Sequence, residues 1–234
     1  MKKFRPPRWS WLVLLPLLAL LVGLGSWQVR RAHEKEALQA AYEQATKRDP
    51  ENLSAKTVAT DLPVAVRARG FFLPNKQLLL DNQSHDGQPG YHVWTPMRLL
   101  TGGTVIVDRG WIARSTSGEL PEVAPPRSGM WAIRGLWRSL PKPGMRLAGA
   151  PIAKLTKFPA AVEYPTAEDL RTLLGEPVAA GVLELDAGED GGFVREWNPV
   201  ATFPPSRHYG YAVQWFSLAG ALVVLFVLVN RKAV

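Results

Sequence analysis

The residues best suited to chemistry in this 234-residue chain are four histidines, His33, His85, His92 and His208, because cysteine is absent. Without a thiol there are no disulfides, no thiolate metal sites, no thiol redox couple and no c-type haem attachment. No two of the histidines stand at metal-ligand spacing, and no H-E-x-x-H, G-x-S-x-G or phosphate-cradling glycine loop occurs. The acidic run DAGEDGG (186–192) has Asp at the first and fifth positions of a calcium loop and Gly at the sixth. It lacks an acid at the third position, and Trp197 stands at the twelfth, so it reads as an ordinary acidic turn. Met97, Met130 and Met145 are scattered, which argues against a Met/His copper shuttle. Ordinary hydrolase chemistry has no visible support.

His208 stands apart, in RHYGYAVQWF, just before a long apolar run. On a helix starting there, His208, Tyr211, Ala212, Trp215 and Ala219 line one face. A second apolar run near the N-terminus ends with Gly25, Trp27, Gln28, Arg30 and Arg31, and antiparallel packing brings that end alongside His208. A histidine between aromatic rings and near two guanidiniums has the parts of a haem site. Imidazole would ligate iron, Trp27, Tyr211 and Trp215 would cover the macrocycle, and Arg30 and Arg31 would hold propionates. The same residues also suit an interfacial histidine that only hydrogen-bonds backbone or water. His33 falls about two helical turns beyond the first run, too far to be a close partner, so a single protein ligand, His208, is expected.

The elements that position these residues begin with the two apolar runs. Residues 11–27 (WLVLLPLLALLVGLGSW) carry no charge and cover about 26 Å as a helix, with Trp9, Trp11 and Trp27 at the ends where indoles favour the interface. A basic start followed by an apolar core also fits a cleaved signal peptide, but the helical pattern continues past it. Residues 211–229 (YAVQWFSLAGALVVLFVLV) form the second run, followed by Arg231 and Lys232. The formal net charge of +8 collects beside these runs, while residues 49–206 hold 16 cations and 17 acids. A nucleic-acid-binding domain needs its cations on the domain, so that class is excluded, and cations flanking apolar runs belong to a membrane. Lys2, Lys3, Arg5 and Arg8 before the first span and the basic tail after the second predict both termini in the cytoplasm. Arg30, Arg31 and Lys35 oppose that bias locally, but a long connecting domain crosses regardless of charge.

The expected organisation is therefore a membrane protein with two transmembrane helices flanking an antiparallel β-rich α+β extracytoplasmic domain. Residues 1–10 form a cytoplasmic N-terminus, 11–27 the first transmembrane helix and 28–208 the periplasmic domain. Residues 209–229 form the second helix and 230–234 a cytoplasmic tail. Within the domain, Leu38, Ala41, Tyr42 and Ala45 at helical spacing extend a helix over 28–48, stopped by Asp49-Pro50. The α+β domain follows from about 52 to 200. VAVRAR, LLLDN, YHVWTPMRLL, TVIVDRGW, GVLELD and FVREW read as strands, with a Gly102-Gly103 hairpin. Trp131, Ile133, Gly135 and Trp137 share one strand face, and Thr166 caps a short helix over 166–174 that Gly175 ends.

Several motifs resemble one family. Trp27-Gln28 with Arg30-Arg31 and Lys35 after the first span is similar to the opening motif of the Surfeit locus protein 1 family, which acts in cytochrome c oxidase assembly. Gly70-Phe71-Phe72, Leu80-Asp81-Asn82, Gly90-Tyr91-His92-Val93, Thr95-Pro96, Val107-Asp108-Arg109-Gly110-Trp111 and His208-Tyr209-Gly210-Tyr211-Ala212 with Gln214-Trp215-Phe216 follow in one order. The family often shows Asn where Asp81 and Asp108 stand, positions read here as structural. The resemblance implies a non-enzymatic chaperone of the cell inner membrane that matures the haem-bearing core subunit of a haem-copper oxidase. It carries the family's haem-associated histidine over to His208, with transiently bound haem a (heme a) as cargo. The implied partners are the cytochrome c oxidase core subunit, haem a synthase and membrane lipid. The alternative is a cofactor-free scaffold that stabilises an oxidase assembly intermediate.

Overall fold

A computed structural model describes residues 3–4, 6–116, 118–142, 155, 157–197 and 203–232; Lys2, Arg5 and Met145 lie outside them. The chain divides into two compact units, Met1–Ala40 with Asn198–Val234, and Ala41–Trp197.

The first unit is a helical pair. Helix α1 (Arg8–Ala45) runs unbroken through the first apolar run and its polar extension, with Pro16 inside it. The helical extension expected over 28–48 is continuous with the span and ends at Ala45, since nothing between Trp27 and Ala45 interrupts the backbone ladder. The C-terminal helix, called α3 here, covers Pro205–Val229. Both are long and apolar enough to cross a membrane. Their outward faces present Leu12, Val13, Leu20, Val224 and Leu228, all more than half exposed, which only a lipid environment makes favourable. Small residues set the close approach of the pair. A Cβ on Gly25 would lie 2.6 Å from the Phe216 ring, and Ala32, Ala212 and Ala219 are buried. Trp11 packs edge-on against Phe226 at 5.0 Å. The two-residue strands β1 (Lys3–Phe4) and β10 (Arg231–Lys232) pair antiparallel, so the segments outside the two spans lie together.

The second unit is a closed, mixed β-barrel. Its strands are β2 (Glu51–Asn52), β3 (Val64–Phe72), β4 (Leu78–His85), β5 (Gln88–Leu99), β6 (Thr104–Ala113), β7 (Trp131–Ser139), β8 (Ala160–Val162) and β9 (Val178–Leu185). The sheet order is β2-β3-β7-β9-β6-β5-β4-β8, and an additional β3–β5 pairing closes β3, β7, β9, β6 and β5 on themselves. Closure demands a close approach of two backbones. Gly70 supplies it, since a Cβ there would meet the Arg98 carbonyl oxygen at 2.1 Å. Gly102 and Gly103 turn β5 into β6, as expected.

Helix α2 (Ala167–Leu174) is capped reciprocally by Thr166 and Asp169 and ends at Gly175 in the left-handed conformation. Leu170 of α2 is buried against Leu78, Trp94, Ile106 and Val182 on one side of the sheet. Val66, Met97, Val107, Ile133, Trp137 and Leu183 fill the other side. Strands β5 and β6 are therefore covered on both faces, which explains why YHVWTPM and TVIV are runs rather than alternations. The expected β-rich α+β domain is present and mostly antiparallel, with β6–β9, β4–β8 and β2–β3 parallel. One expectation fails: FVREW is no strand but an isolated Trp111–Val194 bridge. Parallel pairing needs a crossover, and the segment from β7 to α2 provides it between β6 and β9.

Arg109 pins the barrel end. Its Nε donates to the Gly191 carbonyl at 2.6 Å and its Nη1 to the Ala124 carbonyl at 3.1 Å, with the Phe193 ring against the guanidinium. Burial and the neighbouring Arg195 lower its pKa to about 10, so it remains charged at neutral pH.

Candidate functional site

His208 sits at the start of α3, in its first turn after Pro204-Pro205, where helix geometry turns its ring toward α1. It is buried. Its Nδ1 lies 2.7 Å from Oε1 of Gln28, a bond that spans 180 residues of sequence. An amide oxygen only accepts, so Nδ1 donates, and in the neutral ring Nε2 then keeps its lone pair. Imidazole in that tautomer is a ready metal ligand, because the partner of one nitrogen sets the chemistry of the other. The Phe203 ring packs edge-on at 4.5 Å from the imidazole.

The other residues expected here are distributed unevenly. Trp215 is half-buried on the face of His208, whereas Tyr211 and Trp27 are exposed. At about 100° per residue, Tyr211 lies roughly 60° away from His208 around the helix, so it sits at the edge of the stripe. There it stacks on Phe203, with ring planes 5° apart. Arg31 is engaged by Glu34 at 2.6 Å, one turn along α1, which removes it as a free anion clamp. Arg30 is exposed and makes no ion pair among the described residues. Three neighbours were not foreseen. Phe203 packs against His208 as above, the Tyr209 hydroxyl donates to Glu36 at 3.0 Å, and the His33 ring packs against Tyr209 at 6.2 Å. Their signal is a spacing between helices, which no pattern along the chain carries.

Sequence inspection also missed a polar cluster inside the barrel domain. Asp108 and Glu184 are register partners on β6 and β9, both buried. Asp108 accepts from His92 Nδ1 at 2.8 Å, Trp94 Nε1 at 3.0 Å and the Gly110 amide at 3.0 Å. Glu184 is bridged by Arg138 Nε at 2.5 Å, and the buried Tyr42 side chain faces this pair. Asp81 and Asp108 thus both have roles suited to a carboxylate, since Arg114 pairs with Asp81.

This cluster makes stability depend on pH. Burial works against a charged His92, but the charge of Asp108 and its hydrogen bond outweigh burial and raise the pKa. Burial also raises Glu184, with the Arg138 charge only partly offsetting it. A raised histidine contributes stability that is present below its unfolded value of about 6.5 and lost as pH rises through the folded value. A raised carboxyl likewise favours the fold as pH falls toward it. Both therefore act in one direction. The melting temperature of the detergent-solubilised chain should be higher at pH 6 than at pH 8, and Asp108→Asn should flatten that difference. A melting temperature that rises with pH over this range would contradict the assignment.

With this geometry in view, the likeness to known proteins becomes informative. The SURF1 family model matches residues 15–220, which take in most of each long helix and the whole barrel domain. A SURF1-like protein of Rickettsia felis is 25% identical, with 95% of this chain and 97% of that protein covered. A SURF1-like protein of Rickettsia conorii is 24% identical over 91% of this chain and 88% of that one. The cytochrome oxidase assembly protein SHY1 of Saccharomyces cerevisiae is 35% identical over a shorter stretch, 38% of this chain and 24% of its own length. Collinear motifs from the first helix to the second, and a match over nearly the entire length, place this chain in the SURF1 family.

Proposed function

We propose that this protein is a membrane-anchored, non-enzymatic assembly factor for a haem-copper cytochrome c oxidase, and that its helical pair holds haem a transiently through His208 for delivery to the core subunit. The assembly role draws support from family membership and from the named role of the yeast relative. The haem reading draws on one observation, the His208–Gln28 bond that leaves Nε2 as the free donor between two membrane helices. The donor chemistry fits haem: one oriented imidazole, aromatic rings at Phe203 and Trp215, and the exposed Arg30 at the water side. When bound, haem would supply an iron atom with one position for an imidazole ligand. The chain's own work is to orient that imidazole, shield it and present it at the membrane edge. A single protein ligand suits a carrier, because cargo held by two strong ligands is released slowly.

The experiment is an absorption spectrum of the detergent-purified protein from cells that make haem a. A Soret band at stoichiometric intensity supports the carrier. Its absence under those conditions would sink it and leave the cofactor-free scaffold in its place.

The cations before the first span and after the second support a topology with both termini cytoplasmic and the barrel in the periplasm. The β1–β10 pairing supports a common side for the two ends. A reporter active only in the cytoplasm should work when fused after Val234 and stay silent when inserted near Gly118. Activity at the internal position would reverse the orientation.

A further inference from the structure

The outer face of β3 and β7 carries more positive charge than its own acids offset. Arg67 and Arg134 are directly opposed in the register, and both are exposed. Like charges opposed across a strand pair cost stability. Among the described residues, Arg67 is held by the neutral Asn52 oxygen at 2.8 Å with no ion pair, and Arg69, two residues on, has no ion pair either. Arg134 lies near Asp186, and its backbone amide donates to Glu189 at 3.1 Å, so part of its charge is offset. At the end of this face three apolar side chains stand in water: Phe71 is 47% exposed, Met130 53% and Leu100 55%. They are neighbours by register. Phe71 and Met130 follow directly on the Gly70–Trp131 pair, and the Leu100 amide donates to the Arg69 carbonyl at 2.9 Å.

We propose that this face is the docking surface for a water-exposed segment of the oxidase core subunit in which acidic side chains flank an apolar anchor. The partner's identity rests on the assembly role proposed above; its chemistry rests on the charge of the face. The composition favours protein over lipid headgroups. The cations are all arginine, accompanied by phenylalanine and methionine, the side chains enriched in protein interfaces, whereas lysine, depleted there, is absent from the face. A guanidinium takes a carboxylate in two parallel bonds, and the apolar end gives the anchor a place to lose water.

The test uses the full chain in cells. A photo-crosslinking amino acid at Ala132, which lies opposite Arg69 on this face, should give an adduct with the core subunit; the same amino acid at the exposed Val58 should not. The variant Arg67→Gln/Arg69→Gln/Arg134→Gln, which removes the charge without adding acids beside Asp186 and Glu189, should lose that adduct and lower assembled oxidase by about ten-fold, at near-unchanged abundance and melting temperature. Phe71→Ser alone should lower it less. Adducts with phospholipid only, or normal oxidase in the triple variant, would overturn the docking surface while leaving the assembly role intact. Normal oxidase after deletion of the whole chain would overturn both.

Discussion

Replacing His208 by alanine is expected to leave the chain inserted at near-normal abundance while haem co-purification collapses and active oxidase falls with it. The fold loses little. One hydrogen bond to Gln28 disappears, a change of about 1 kcal/mol, and the Gln28 amide is only partly buried and reaches water. The proposed ligand, however, is lost outright, since among the described residues no second histidine faces the same point of the helical pair. Gln28→Ala gives the graded control. It keeps the ligand but frees the ring to rotate and to exchange tautomers, and loss of such an orienting partner costs roughly 10- to 100-fold in metal affinity. His208→Ala should exceed that. Arg30→Ala should stay within about five-fold, because an exposed charge contact contributes at most about 1 kcal/mol. Co-purified haem per chain, read by pyridine haemochrome spectroscopy, ranks the variants. Full haem retention in His208→Ala would overturn the reading of His208 as the ligand that carries the cargo.

Gly110→Val should strongly destabilise the barrel domain. Gly110 has φ near +108°, a conformation that side chains with a Cβ rarely adopt. A Cβ there would stand 2.5 Å from the Val194 carbonyl oxygen, part of the bridge by which the 186–195 segment closes over Trp111. That segment also receives Arg109, so the clash would fall where the loop is already anchored on both sides. Backbone strain of about 1–3 kcal/mol plus displacement of the bridge suggests a total of roughly 4 kcal/mol. For a domain of this size that lowers the melting temperature by on the order of 10 °C. Thermal unfolding of the purified chain and its cellular abundance both report it. Normal stability with lost oxidase assembly would instead mark this strand end as a partner surface.

Which parts of this were legible along the chain follows from the range of the forces involved. The spans, the hairpin at Gly102-Gly103, the capping box at Thr166 and the stop at Gly175 depend on residues within a few positions of each other. Hydropathy, cap chemistry and glycine conformation are local, so the order of letters already determines them. His208 was also visible as a candidate, because it is the one histidine standing against an apolar run and between aromatic residues. FVREW misled for the opposite reason. Its alternation is that of a strand, but no ladder is free to receive it beyond Trp111.

Long-range pairing lay outside the reach of the letters alone. Closure of the barrel by β3 and β5 turns on Gly70 meeting a carbonyl from a strand that starts some way down the chain, and the parallel β6–β9 pair depends on how the crossover packs. Asp108 reads in sequence as a structural position without a partner, and Glu184 as an acid in a strand; only the register of those two strands buries them together and gives His92 its partner. Gln28 and His208 were each visible as single residues at span ends. That one amide oxygen fixes the tautomer of that imidazole was decided by packing between helices, because a hydrogen bond is won or lost over a few tenths of an ångström that no spacing rule specifies.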